Sequence, residues 1–245
     1  MALSRTNRGN ATLNYVNQTT NTITSASFSP AAGALLLVLF GEFTNDTTPS
    51  LVVTSSFTGQ GAWTVDYLAA NDGGNWNASG IAWSICGGSP GSGTITCTRR
   101  AGSFSDGMFG EFIEITGQDA NTPASNNAGN VGSGVTSLAL TLGTSPAASS
   151  MLFACCMDDN SFNNVVVPSG WTALANNSAD AGMTAYTQNA EILASGSTTS
   201  TFTNLNNYRC SGVVIEIVAG VSSGTRRLWG GIPFANGVKT KGRWV

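Results

Sequence analysis

The chain has no histidine, only two lysines, and few charges of any kind: 9 % of its 245 residues are charged. Without histidine, a serine or cysteine nucleophile lacks its commonest general base. A zinc site would need mostly thiolate ligands, and the five cysteines, Cys86, Cys97, Cys155, Cys156 and Cys210, include no Cys-x-x-Cys. An odd count also argues against a complete disulfide framework. Cys86 and Cys97 flank "GGSPGSGTIT" and would face each other across a hairpin, where a bridge needs Cα atoms within ~7 Å. The other reading of all five is that of small buried hydrophobes.

Long apolar runs are missing as well. The longest, "AAGALLLVLFG" from Ala31 to Gly41, falls short of the ~18 residues of a membrane span. "MALSRTNRGN" lacks the apolar core of a secretory signal, so the expected setting is a cytoplasm or a particle assembled in one, with no membrane partner. Low charge does not mean disorder here. Disordered chains join high charge to low hydrophobicity, and this chain is 41 % hydrophobic.

What is present is glycine, 30 residues of it, with abundant Thr, Ser and Asn around short Val/Ile/Leu/Phe runs. That pattern predicts an all-β protein. "GALLLVLFGEF" is too short for a helix and suits a strand buried on both faces or crossing a sandwich core. "PSLVVTSSF", "GAWTVDYLAA", "IAWSICG" and "GTITCTRR" follow as strands, the last three with alternation. "MFGEFIEITG" closes the series.

The second half repeats the order. "TSPAASSMLFACCM" answers "FSPAAGALLLVLF", and "PSGWTALAN" answers "QGAWTVDYL". "GMTAYTQNA" answers "GIAWSICGG", and "GSTTSTFTN" answers "GSGTITCTR". "SGVVIEIVAG" answers "FGEFIEITG". The offsets fall from 116 (Pro30 to Pro146) through 108 (Trp63 to Trp171) and 103 (Trp83 to Tyr186) to 102 (Glu114 to Glu216). A steady fall fits two related units with shorter loops in the second, and the period is too long for a solenoid. The expected organisation is a polar segment with a first strand at 1–27, one β-sandwich unit at 28–117, a related unit at 118–220, and a tail at 221–245.

Candidate chemistry is sparse. Glu114 and Glu216 invite a catalytic carboxylate pair, but both sit among strong β formers, which favours a structural polar residue at a sheet edge or where the halves meet. Asp158, Asp159 and Asn160 could ligate calcium, yet they lack the D-x-[DN]-x-[DN]-G spacing, and a polar turn is the preferred reading. The expected catalytic, cofactor and metal sets are therefore empty. Trp76, amid Gly and Asn, is the candidate contact for a glycan. Trp63 and Trp171 recur between halves, which favours architecture.

The tail is different. From Arg226 it carries Arg226, Arg227, Lys239, Lys241 and Arg243 with no acid, a formal +5, on a body of five arginines and thirteen acids, a formal −8. It also holds Leu228, Trp229, Phe234 and Trp244. Apolar side chains gain little in free solvent, so the tail reads as an arm that docks on a neighbouring subunit. No continuous basic face is evident, and nucleic acid is not the expected partner.

The modules "SPAAGALLLVLF", "GAWTVDY" and "FGEFIEITG" resemble those of a loose group of uncharacterised bacterial and tailed-phage proteins, β-sandwich domains associated with virion components. The resemblance spans roughly Phe28 to Gly220 and brings no catalytic set with it. It implies a jelly-roll-like sandwich, a place in the virion as a capsid-decoration, head or tail component, and partners that are copies of the chain and other virion proteins. The second reading is a carbohydrate-binding or host-recognition module that meets host surface glycans. A hydrolase-like enzyme is third.

Overall fold

Strand β3 (Leu35–Thr44) contains the longest apolar run, and its setting explains why that run has no polar face. Leu36, Val38 and Phe40 pack toward a small sheet of the same half. Leu35, Leu37 and Leu39 pack against the other half of the chain. In the computed structural model, residues 2–13, 21–44, 50–70, 76–99, 107–159, 165–178, 185–193, 196–207 and 209–220 are described. They form fifteen strands. The remaining strands of the first half are β1 (Ser4–Leu13), β2 (Thr22–Thr24), β4 (Leu51–Ser55), β5 (Thr64–Ala70), β6 (Trp76–Ile85), β7 (Ile95–Arg99) and β8 (Gly107–Thr116). The second half has β9 (Ala124–Ser133), β10 (Ser137–Thr141), β11 (Met151–Asp159), β12 (Thr172–Ser178), β13 (Ala185–Ile192), β14 (Thr199–Thr203) and β15 (Arg209–Ile217).

Each half is a large sheet under a small one. The first half pairs its strands as β1-β8-β3-β6-β5 and β2-β7-β4. The second pairs them as β9-β15-β11-β13-β12 and β10-β14. Strand for strand, the two five-stranded antiparallel sheets have the same order. Register agrees too: Glu114 stands opposite Leu36, and Glu216 stands opposite Leu152. The large sheets stack face to face, with Leu37, Ile113 and Ile115 meeting Phe153, Ile215 and Ile217. The small sheets lie on the two outer sides. Strands buried on both faces need no alternation. Outer strands such as β10, with one face in water, show it as exposed-buried-exposed.

The structure corrects the sequence reading in three places. Segment 1–27 supplies β1 and β2 to the first half's sheets and so belongs to that unit. Its counterpart β9 reads as polar sequence, yet Asn127-Ala128-Gly129-Asn130 echoes Asn7-Arg8-Gly9-Asn10, 120 residues apart. Both are edge strands with one neighbour, so neither needs an apolar pattern. The match of Trp83 to Tyr186 fails on register. Trp83 lies one position from Ser84, the partner of Leu36, and Glu191 lies one position from Ile192, the partner of Leu152. Trp83 thus corresponds to Glu191, and the offset stays at 108 through this strand. Finally, Cys86 and Cys97 do not face each other across a hairpin, and all five cysteines are free and buried, as the reading of small buried hydrophobes expects. Cys97 is on β7 of the small sheet while Cys86 follows β6 of the large one, so the segment between them crosses layers and makes no hairpin.

Candidate functional site

The repeated glutamates hold repeated turns. Glu114 accepts a hydrogen bond from the Ala31 N–H through Oε1 at 2.7 Å. Glu216 Oε1 accepts from Ala147 N–H at 2.5 Å. Ala31 and Ala147 are equivalent residues of the two Ser-Pro-Ala-Ala turns. Inside each turn the amide three residues on, of Ala34 or Ser150, closes back onto the same alanine's carbonyl. The second oxygen differs between copies: Glu114 pairs with Arg8, whereas Glu216 accepts from Asn126 Nδ2 at 3.2 Å. Both carboxylates are buried. They lie neither at a sheet edge nor between the halves, but on the outer faces of two stacked sheets, pointing away from each other. With stacked sheets about 10 Å apart, a carboxylate pair working on one bond at roughly 5–9.5 Å is excluded for these two.

Asp158 is also placed by the repeat. It lies in β11, buried, 116 residues after the buried Glu42 of β3. Asn206 N–H donates to its Oδ2 at 3.0 Å. It is therefore a strand residue and not part of a polar turn. Asn160 and the Asp159 side chain lie outside the described residues, and among those described no group of three or more His, Cys, Asp or Glu is placed to hold a metal. The backbone of Trp76 pairs with Thr44; its side chain lies outside the described residues. So does the whole arm, from Arg226, Arg227, Leu228 and Trp229 through Phe234 to Lys239, Lys241, Arg243 and Trp244. Trp63 and Trp171 do the same job in their two halves, each half-buried against its own core.

Polar groups stitch the halves together. Arg5 of β1 pairs with the buried Glu191 of β13. Burial pushes the Glu191 carboxyl above its ordinary range, against the opposing pull of Arg5. Ser79 donates to Ser211 O at 3.0 Å, and Asn77 Nδ2 to Arg209 O at 2.7 Å. Trp83 Nε1 donates to Asp66 Oδ2 at 2.5 Å. Burial raises the Asp66 pKa, and the hydrogen bonds from Trp83 and Asn127 partly offset it.

One surface breaks the repeat. In the first half, β4 pairs with β7 along its length, and the chain then runs through Ser56–Ala62 before Trp63. That segment is built in: Phe57 is buried against Phe28 at 4.9 Å, Gln60 bonds Ser84, and Ser56 N–H bonds Thr94 O at 3.0 Å. In the second half, Val165-Val166-Val167-Pro168-Ser169 stands where Leu51-Val52-Val53-Thr54-Ser55 stood. Only Gly170 then precedes Trp171, so the linker is six residues shorter. Val166 and Thr203 exchange both backbone bonds, at 2.9 and 3.0 Å. Two residues on, Pro168 replaces Thr54 and has no N–H to continue the ladder. Its carbonyl is turned to Trp171 N–H at 3.0 Å. The result is an open groove of about 690 Å³ between Val166, Pro168, Trp171, Ile192, Thr199 and Thr201. Ile192 takes the place of Ser84, the residue that anchored the missing loop.

The groove has a bare strand edge as its wall. Backbone groups alternate sides along a strand, so Thr201, like Thr203, turns its N–H and C=O outward. Among the described residues no partner meets them. Thr199 N–H bonds Ser197 Oγ at 3.2 Å, which replaces the Thr94-to-Ser56 bond of the first half. Sequence reading missed this site because its signal is a deletion beside a proline, visible only when the halves are compared in register. No protein-family model, no curated protein and no solved structure matches this chain.

Proposed function

We propose that the chain is a virion structural protein of a tailed phage, a capsid-decoration, head or tail component, that works by protein–protein assembly. One observation supports this reading most: the nesting of strand pairs. β1 pairs with β8, β2 with β7, and β3 with β6, with successive pairs alternating between large and small sheet. β9 with β15, β10 with β14, and β11 with β13 repeat the scheme. Nested pairs wrapped over two sheets are the jelly-roll plan, which serves capsid and lectin domains alike. Two such units locked together make a rigid block whose buried acids hold turns and cross-links.

In this reading residues 221–245 are the assembly arm, and among the described residues the last member of the three cores is Ile217. The arm's basic residues guide it to acidic neighbours and its apolar side chains hold it there. Mass spectrometry and electron microscopy of particles from the native source test the role. The chain should be a stoichiometric particle component. Particles complete without it refute the reading. Truncation after Gly220 should leave a folded β protein that fails to assemble, as judged by circular dichroism and solution mass.

A further inference from the structure

We infer that the groove on the second half is the receiving site for the C-terminal arm of a neighbouring copy, which adds as a strand along β14. This rests on the assembly reading above and names the surface it uses. Three observations carry it. The first half shows what the space accepts: an extended segment, Thr54–Ser56, laddered onto β7, followed by a buried phenylalanine, Phe57. The second half keeps the bare edge, while its Pro168-Ser169-Gly170 turns back toward Trp171 and the six residues that follow in the first half are missing. Outward-facing N–H and C=O groups at Thr201 invite main-chain pairing, and the apolar floor of Trp171, Ile192 and Val166 offers a seat for one large side chain.

The chain carries a segment of that description. Twenty-five residues follow Gly220, enough to reach a neighbour at up to ~3.3 Å per residue. They include Ile232-Pro233-Phe234-Ala235, an apolar stretch with one aromatic and no charge, to set against a groove lining that has no charge either. The arginines and lysines lie on either side of that stretch, where they would meet the rim and the acidic body. The arm also starts close to the groove's level. Ile217 pairs with Met151, and Ile192 of the groove pairs with Leu152, so both lie at one end of the same sheet.

The test is amide hydrogen exchange on the full-length protein across a concentration series, read with solution mass. Two variants accompany the wild type: Phe234→Ser in the arm and Thr201→Pro on the edge. In assembled wild type the Thr199–Thr203 segment should exchange at least tenfold more slowly than in Phe234→Ser, and both variants should assemble less. The Phe234→Ser comparison stands even if Thr201→Pro misfolds, because Phe234 follows Ile217, the last described core residue, in the chain. Equal exchange at Thr199–Thr203 in wild type and Phe234→Ser overturns the inference. If assembly is lost in Phe234→Ser while exchange there is unchanged, the arm docks elsewhere: the groove assignment falls and the assembly reading survives. Protection that does not vary with concentration places the chain's own arm in the groove and overturns the neighbour assignment. Protection conferred by glycans, with the arm variant indistinguishable from wild type, overturns it in favour of a sugar site.

Discussion

Replacing Glu216 tests the account of the repeated turns most directly. Its carboxylate accepts the Ala147 N–H at 2.5 Å and, more weakly, Asn126 Nδ2 at 3.2 Å. A hydrogen bond to a charged group contributes about 1.5–3 kcal/mol net. Asn126 keeps a second acceptor in Thr144 O, so its loss adds little. Ala147 is itself exposed, and water can reach the freed amide, which holds the cost below that of a fully buried orphan. Glu216→Ala should therefore cost about 2–3 kcal/mol. That corresponds to a Tm fall of about 4–12 °C for a chain of this size. Glu216→Gln keeps the shape and one acceptor without the charge, and should cost about half as much. Glu114→Gln also removes the ion pair with Arg8 and should cost more than Glu216→Gln. The two sites lie on opposite outer faces and share no partner, so the double variant should be additive within about 0.5 kcal/mol. Denaturant unfolding gives these numbers, and exchange of the Ala147 amide localises the effect. A Glu216→Ala protein as stable as wild type would sink the turn-holding role, and strong non-additivity would sink the separation of the two sites.

Ser149 sits at φ 66° where the first unit has Gly33 at φ 69°. A side chain in that region costs about 1–2 kcal/mol, partly repaid by a stiffer unfolded chain, so Ser149→Gly should stabilise by about 0.5–1 kcal/mol in thermal unfolding; a loss would contradict this. The thiols should be inert while the protein is folded. Burial pushes Cys86 up to about 11 and Cys155 and Cys210 up to about 12, leaving roughly one thiolate in a thousand or fewer at pH 8. A thiol reagent should label none of the five before unfolding and all five after it, and rapid labelling of the native protein refutes the burial. Glu191 and Asp66 both have raised pKa values, so the folded state holds their protons more tightly than the unfolded state does. Their contribution is fully present below the ordinary carboxylate pKa and is lost as pH rises through the raised values. Joint replacement by Glu191→Gln and Asp66→Asn should flatten that part of the stability profile, and an unchanged slope would count against it.

The all-β class and the repeat were legible because apolar strands, Gly-x-Trp-Thr and the Ile-Glu-Ile strands carry strong local patterns. β1 and β9 were not, since an edge strand with one partner can be polar throughout. The Trp83 to Tyr186 match went wrong for a related reason. An aromatic draws the eye, but register is set by pairing with β3 and β11, and there Trp83 answers Glu191. The glutamates were wrongly located: each holds a turn on the outer face of its sheet. Nothing local in "FIEI" says which face of its sheet is covered by the turn it serves. The groove could not be read at all from one half, because a six-residue shortening has meaning only against the half that kept its loop.

The face between the halves has a property of its own. Leu35, Leu37 and Leu39 correspond in register to Met151, Phe153 and Cys155, and Ile113 and Ile115 to Ile215 and Ile217, and all of these meet in one core. The same patch of each unit thus contributes to this face, but not reciprocally: β15 packs broadly on β6, whereas β8 makes little contact with β13. The polypeptide carries two similar units that bury equivalent faces against each other. One unit closes its outer sheet with a loop while the other leaves it open. A single unit made alone would expose a wide apolar face, and light scattering of residues 2–117 should find it self-associated; a stable monomer would argue against the face needing a partner.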